Sequence, residues 1–166
     1  MSNGGDNEPT RGAVAAQTIQ THPAWQPWTA LAGFAVLVNF AWEMAQMPLF
    51  RMRNPSGWAM LRECTQATAG DMMLTLVAYG VAALCIRRLH WLLAPRPMEW
   101  ATFLGVGLAA TVGLEWWNVM LRHSWAYSAA MPTVAGIGLA PVIQWLVLPP
   151  LILWLARRHM DAVEQV

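Results

Sequence analysis

The chain has 166 residues, of which 57% are hydrophobic and 11% charged, and its formal net charge is +1. This composition is typical of a small integral membrane protein and excludes an ordinary soluble domain. The near-neutral charge and the lack of a basic patch mean that no nucleic-acid partner is expected. We therefore expect the lipid bilayer to surround most of the chain.

Residues 1–24 are polar and lack the basic-then-apolar order of a signal peptide. We expect a disordered cytoplasmic tail in this segment. A four-helix transmembrane domain is predicted over residues 25–160, followed by a short C-terminal tail over 161–166.

Four apolar segments follow the tail, at about 28–47, 64–86, 99–121 and 133–156. Each is close to the roughly 20 residues that a helix needs to cross about 30 Å of hydrocarbon. Helices are expected because backbone groups in lipid must be satisfied within their own segment, and no segment alternates like a barrel strand. The sequence predicts an all-α, polytopic membrane protein with a four-transmembrane-helix bundle.

The fourth segment contains residues that interrupt helices, which are Gly136, Gly138, Pro141 and the pair Pro149–Pro150. Proline kinks or breaks a helix, and irregular backbone at membrane depth is tolerated only where it lines protein or a cavity. Two structures remain open for this segment: an irregular first third beside a cavity, or an ordinary kinked helix.

With four spans, both termini lie on one side, together with six of the ten arginines. The arginine pairs at 87–88 and 157–158 lie directly against helix ends, where positive charge has most influence on orientation. We expect a multi-pass protein of the bacterial inner membrane with both termini in the cytoplasm.

Three carboxylates, Glu43, Asp71 and Glu115, lie inside the apolar segments, whereas the chain has no lysine and every arginine lies at or beyond a segment end. A charged group at membrane depth is costly, so such acids mark a functional site by default. At 1.5 Å per residue, each acid lies about 9–12 Å below the same, non-cytoplasmic face. The sequence therefore predicts that the three meet in one chamber open to that face.

Polar residues at helical spacing extend the stripes that carry these acids. Asn39 and Gln46 accompany Glu43, while Thr111, Asn118 and Arg122 accompany Glu115. The first and third stripes are offset by 72 residues, and Asp71 and Gln144 by 73. These offsets suggest a weak internal repeat of two helical hairpins, with a site at the repeat interface.

The candidate catalytic residues are Glu43, Asp71 and Glu115. Desolvation favours the neutral form of a carboxyl group, which suits a proton donor. Aromatic rings can stabilise a cation. The loop after the third segment offers a polar lid, in which His123 could donate a proton and Arg122 could bind a carboxylate or an anionic head group. The candidate substrate-binding residues are Asn39, Trp42, Gln46, Trp116, Trp117, Asn118, Arg122, His123, Tyr127, Gln144 and Trp145.

No metal site and no cofactor are expected. A di-iron carboxylate site needs Glu-x-x-His pairs, but Gln46 and Asn118 occupy the third positions here, and no histidine lies within a segment.

The stretch from Asn39 to Phe50, with Gly70–Asp71 and the loop from Ser124 to Pro132, resembles an uncharacterised family of small four-span bacterial membrane proteins. This resemblance covers most of residues 28–158 and implies no activity. The short pattern Asn39-x-x-Trp42-Glu43 is similar to membrane-bound terpene cyclases, a larger family. That similarity implies that Glu43 protonates an isoprenoid.

The leading hypothesis is an acid–base enzyme that acts on a lipophilic, isoprenoid-like substrate. Two alternatives remain open: a carrier for a cation, proton or metal ion, and an accessory membrane subunit of a larger complex. The sequence also leaves open a homo-oligomer or a partner subunit in the membrane.

Overall fold

The computed structural model describes residues 25–51 and 56–163, and the tail expected over 1–24 lies outside them, as do residues 164–166 of the expected C-terminal tail. The described chain forms four long helices, α1 (Gln26–Gln46), α2 (Gly57–Ile86), α3 (Pro97–Trp116) and α4 (Leu139–Val163). All four are long and apolar enough to cross a membrane. The predicted all-α four-helix bundle is therefore confirmed.

The helices form a closed ring in which α1 and α3 each pack against both α2 and α4. Helices α1 and α3 are therefore diagonally opposed across the bundle, as are α2 and α4. This is the arrangement that two repeated hairpins related by a twofold axis would produce.

Helix α2 begins at Gly57, seven residues before the start predicted from apolar content. The side chain of Ser56 caps the helix, because its Oγ accepts a hydrogen bond of 3.1 Å from the backbone nitrogen of Ala59. The apolar segment marks only the part of the helix that suits hydrocarbon, whereas the cap decides where the helix starts. As a result, Arg62 and Glu63 lie on α2 and not before it.

Of the two structures left open for the fourth segment, the structure has the irregular start. Two short strands, β1 (Thr133–Val134) and β2 (Ile137–Gly138), pair antiparallel before α4 begins at Leu139. The turn between them contains Gly136 with φ of +79°, a conformation that glycine adopts without strain. Helix α4 contains Pro149 and Pro150 and continues to Val163, beyond the predicted domain end at residue 160.

Helix α3 ends in a π-helical turn, Trp117–Leu121, immediately beyond Glu115. The loop that follows, residues 122–132, is attached to the end of α1. The backbone nitrogen of Arg51 donates to the oxygen of Ala126 at 2.8 Å, and the backbone nitrogen of Ser128 donates to the oxygen of Leu49 at 2.9 Å. These bonds hold the loop over the end of the bundle at which α1 and α3 finish.

The half of the bundle nearer the termini is closed by a core of buried aromatic side chains. The ring of Tyr79 stacks on Trp91 with centroids 4.9 Å apart, and Phe103 packs against both Trp91 and Trp145. At the same end, the guanidinium of Arg88 pairs with the fully buried carboxylate of Glu99. Because these side chains fill the half nearer the termini, a cavity can form only in the opposite half of the bundle.

Candidate functional site

A cavity of about 960 Å³ lies where α1 and α3 end and α2 and α4 begin. All three predicted acids line it, and so do the polar partners that the stripes placed beside them. The predicted residues that line the cavity are Asn39, Glu43, Gln46, Asp71, Asn118, Glu115, Arg122, His123, Gln144 and Trp145.

The side chain of Gln144 lies at the centre of the polar network. Its Nε2 lies 2.7 Å from Asp71 Oδ2, 3.2 Å from Glu43 Oε1 and 3.1 Å from Asn39 Oδ1. An amide nitrogen carries two hydrogens, so three acceptors compete for two donors. One nitrogen on α4 thus brings a carboxylate from α1 and a carboxylate from α2 against each other.

Glu43 is surrounded by amide groups. Gln46 Nε2 donates to Glu43 Oε1 at 2.7 Å and lies 3.3 Å from Gln144 Oε1. Within residues 25–51 and 56–163, the ion pairs are Arg88–Glu99 and Arg157–Asp161, and neither involves a residue of this cavity. The side-chain donors that the structure shows on Glu43 and Asp71 are the amides of Gln46 and Gln144.

Glu115 has a different environment. The hydroxyl of Tyr127 and the indole nitrogen of Trp125, at 3.4 Å, both donate to its Oε2. Burial raises the pKa of Tyr127, and the hydrogen bond to the Glu115 carboxylate raises it further. The loop after α3 is thus fastened to a carboxylate at the cavity wall through two side-chain donors.

Arg122 does not bind Glu115, contrary to one expectation from its spacing. The π-helical turn between them changes the rotation that an α-helix would give, and the cap nitrogen of Arg122 bonds to Trp117 O, five residues back. Trp125 and Tyr127 from the loop take the carboxylate instead.

Four predicted residues are absent from the cavity lining, so the structure does not support their predicted place around a substrate; they are Trp42, Trp116, Trp117 and Tyr127. The indole of Trp42 donates to Gln46 Oε1 at 2.8 Å. Trp116 and Trp117 are about half exposed on the outside of the bundle. Each residue turns a helix by about 100°, so the residues directly after Glu115 point away from its face.

Four further residues line the cavity although no sequence pattern singled them out, and these are Arg51, Arg62, Glu63 and Trp125. The spacing of eight residues between Glu63 and Asp71 was the available signal, because it puts both on one helical face. Arg51 and Trp125 reach the cavity through loop conformation, which no helical pattern predicts.

The buried hydroxyl of Thr68 lies one turn before Asp71 on α2. Among the described residues it is the only buried side-chain oxygen or nitrogen that lacks a hydrogen-bond partner.

The ring of Trp145 fills the space above Gly107, where an ideal Cβ would lie 1.5 Å from Trp145 Cζ2. Gly107 therefore lets this tryptophan form part of the cavity wall.

Within the described residues, no group of three or more histidine, cysteine or acidic side chains is arranged to hold a metal ion. Comparisons of the chain with protein-family models, curated proteins and solved structures found no match.

Proposed function

We propose that the chain is an integral membrane enzyme in which Glu43 and Asp71 share a proton and donate it to a lipophilic substrate. The observation that carries this proposal is the contact of both carboxylates with one nitrogen of Gln144.

Repulsion between the two carboxylates favours a shared proton. Two ionised carboxylates held against one nitrogen repel each other, and each charge at membrane depth adds a further cost. Their neighbours are amides, which accommodate either an ionised or a protonated carboxyl. One proton between the two groups removes half of the charge, and carboxyl pairs that share a proton are a known acid–base device.

Glu115 takes a second role. Both of its side-chain partners are donors, so it is held as an acceptor on the cavity wall. It can face positive charge that develops on the substrate. The rings of Trp125 and Trp145, which also line the cavity, replace Trp42, Trp116 and Trp117 as the candidates for cation–π stabilisation.

The cavity suits a substrate with a large apolar part, because Leu74, Leu114 and Pro149 are among the residues that line it. An isoprenoid-like molecule fits this description. Proton addition to a carbon–carbon double bond creates a carbocation. Loss of a neighbouring proton then returns a proton to the carboxylate pair, so an isomerisation or cyclisation of this kind consumes no co-reactant.

We place the protein in the bacterial inner membrane, with its termini in the cytoplasm and the cavity open to the opposite face. A cation carrier would also need access from the cytoplasmic face. Buried side chains such as Leu31, Tyr79, Phe103 and Ile152 fill that half of the bundle, which favours the enzyme over the carrier. The amide partners of Glu43 and Asp71 come from the chain itself, which favours the enzyme over an accessory subunit that needs a partner's charges.

Infrared titration of purified protein tests the shared proton. A protonated carboxyl band should persist at pH 7 and disappear in both Glu43→Gln and Asp71→Asn. The matched control is Glu63→Gln, which removes a carboxylate at the mouth of the same cavity and should leave the band unchanged. Full ionisation of both Glu43 and Asp71 at pH 7 would rule out the proposed donor.

Deuterium incorporation tests the reaction without a known substrate. Membrane lipid extract incubated with the protein in D₂O should yield a lipophilic product that carries non-exchangeable deuterium on carbon. Glu43→Gln should abolish that label and Glu63→Gln should retain it. Identical labelling by the wild type and Glu43→Gln would refute a catalytic role for Glu43.

A further inference from the structure

Three arginines from three different elements surround the mouth of the cavity. Arg51 follows the end of α1, Arg62 lies on the second turn of α2, and Arg122 caps the π-helical end of α3. The position of Arg51 is fixed by its backbone bond to Ala126.

These guanidinium groups are not neutralised by the acids of their own cavity. Glu43, Glu63, Asp71 and Glu115 all line the same space, yet within the described residues no carboxylate lies within ion-pairing distance of Arg51, Arg62 or Arg122. The cavity therefore has a rim in which three arginines outnumber one carboxylate, that of Glu63, and an acidic floor. An arginine that lines a binding cavity without a carboxylate partner is available to an anionic group of a ligand.

We propose that this arginine rim binds the phosphate head group of an amphiphilic substrate whose apolar part extends to Glu43 and Asp71. Guanidinium groups bind phosphate in a bidentate manner, and several of them suit a group with more than one negative charge better than a single carboxylate. This inference rests on the proposed function, and it names the class of substrate.

The spacing along the helices sets the length of that substrate. Arg62 precedes Asp71 by nine residues on the regular α-helix α2. At 1.5 Å per residue, Asp71 lies about 13–14 Å deeper than Arg62. The reacting double bond should therefore lie at about this distance from the phosphate.

Thermal unfolding of the full-length purified protein, in a detergent with an uncharged head group, tests the inference. Dodecyl phosphate should raise the unfolding temperature at concentrations at which dodecanol and inorganic phosphate have no effect. Equal stabilisation by dodecanol would refute head-group recognition. Equal stabilisation by inorganic phosphate would refute an amphiphile and identify a free phosphate ester or ion as the ligand.

The arginines are tested by combining Arg51→Gln, Arg62→Gln and Arg122→Gln, with each single variant measured alongside. The triple variant should bind dodecyl phosphate at least tenfold more weakly, and Arg87→Gln, at the opposite end of α2, should bind it like the wild type. Unchanged affinity in a folded triple variant, or in all three single variants should the triple variant not fold, would overturn the proposal.

Two more variants locate the bound molecule and separate the two proposals. Gly70 lines the cavity with open space beside it, so Gly70→Trp should fill the cavity and abolish binding. Retained binding there would mean that the arginines hold only surrounding lipid head groups. Glu43→Gln should still bind dodecyl phosphate, so binding reports on the rim whether or not the acid–base proposal survives.

Discussion

Gln144 occupies a demanding position, since one neutral side chain has to accommodate two carboxylates at membrane depth. Its Nε2 is 2.7 Å from Asp71 and 3.2 Å from Glu43, and its Oε1 is 3.3 Å from Gln46 Nε2. An unsatisfied polar group in such a place costs more free energy than a satisfied one gains.

Replacement of Gln144 by leucine should lower the free energy of unfolding by about 1–3 kcal/mol, because the acids lose their donor. A double-mutant cycle with Asp71→Leu, followed by unfolding in detergent, measures the part that belongs to the pair. The loss of stability in the double variant should be smaller than the sum of the two single losses by about 1 kcal/mol or more. The control Ile143→Val, at the neighbouring lipid-exposed position, should change stability little; additive losses would contradict the network.

Tyr127 fastens the loop to Glu115, and its raised pKa gives this attachment a pH dependence. Below about pH 10, tyrosine is protonated in both the folded and the unfolded chain. Above that pH the unfolded chain loses the proton while folded Tyr127 retains it, so the contribution of Tyr127 to stability falls as the pH rises further.

At pH 8, Tyr127→Phe should be less stable than the wild type by about 0.5–1.5 kcal/mol, because one hydrogen bond is lost. The difference should narrow as the pH rises above about 10, which unfolding curves at several pH values would measure. A constant difference from pH 8 to pH 11 would contradict the assigned role of the hydroxyl.

At the scale of elements, the packing of α3 against α4 depends on Gly107. No side chain fits at this position, because the ring of Trp145 occupies the place of its Cβ. The indole nitrogen of Trp145 also donates to Leu104 O at 3.0 Å, so the ring is held on the surface of α3. The wall of the cavity is therefore set by a contact between two helices.

Gly107→Ala should lower the free energy of unfolding by about 1–3 kcal/mol, since the methyl group displaces a packed ring. Gly105→Ala is the matched control on the same helix, because its Cβ would meet nothing within 4 Å. It should be neutral or stabilising by up to about 1 kcal/mol, as alanine favours a helix over glycine. Equal effects of the two substitutions would show that the Trp145 contact is unimportant.

The π-helical turn is the other decisive element. A regular α-helix would continue the Glu115 stripe to Arg122, as the spacing of seven residues predicts. The wider turn changes the rotation between the two side chains, and Arg122 lines the mouth of the cavity without pairing with Glu115. π-turns often occur at functional sites, which agrees with the place of this one beside Glu115.

Over the whole molecule, the bundle is open at one end and filled at the other. Cysteine labelling tests the proposed orientation in a background of Cys64→Ala and Cys85→Ala, which removes both native cysteines. Ser124→Cys at the mouth should react with a membrane-impermeant maleimide added from outside intact spheroplasts. Arg87→Cys, at the other end of α2, should react only after permeabilisation; the reverse pattern would invert the proposed topology.

The sequence by itself determined the number of helices and the residues at the centre of the site. Apolar length is a sufficient signal for a spanning helix, and a carboxylate in lipid is too costly to be incidental, so Glu43, Asp71 and Glu115 stood out. Helical spacing added Asn39, Gln46 and Asn118, and the repeat offset from Asp71 added Gln144; all four line the cavity.

Tertiary structure alone decided which acids are partners and what surrounds the mouth. The pairing of Glu43 with Asp71 depends on Gln144, 101 and 73 residues away along the chain, and no local pattern reveals such a contact. The attachment of Trp125 and Tyr127 to Glu115 depends on the π-turn and the loop that follows it. The positions of Arg51, Arg62 and Arg122 at the mouth depend on where α2 begins and on the course of the chain after α1 and α3. Local periodicity fixes the face of a residue, whereas the partner across that face is fixed only when the helices pack.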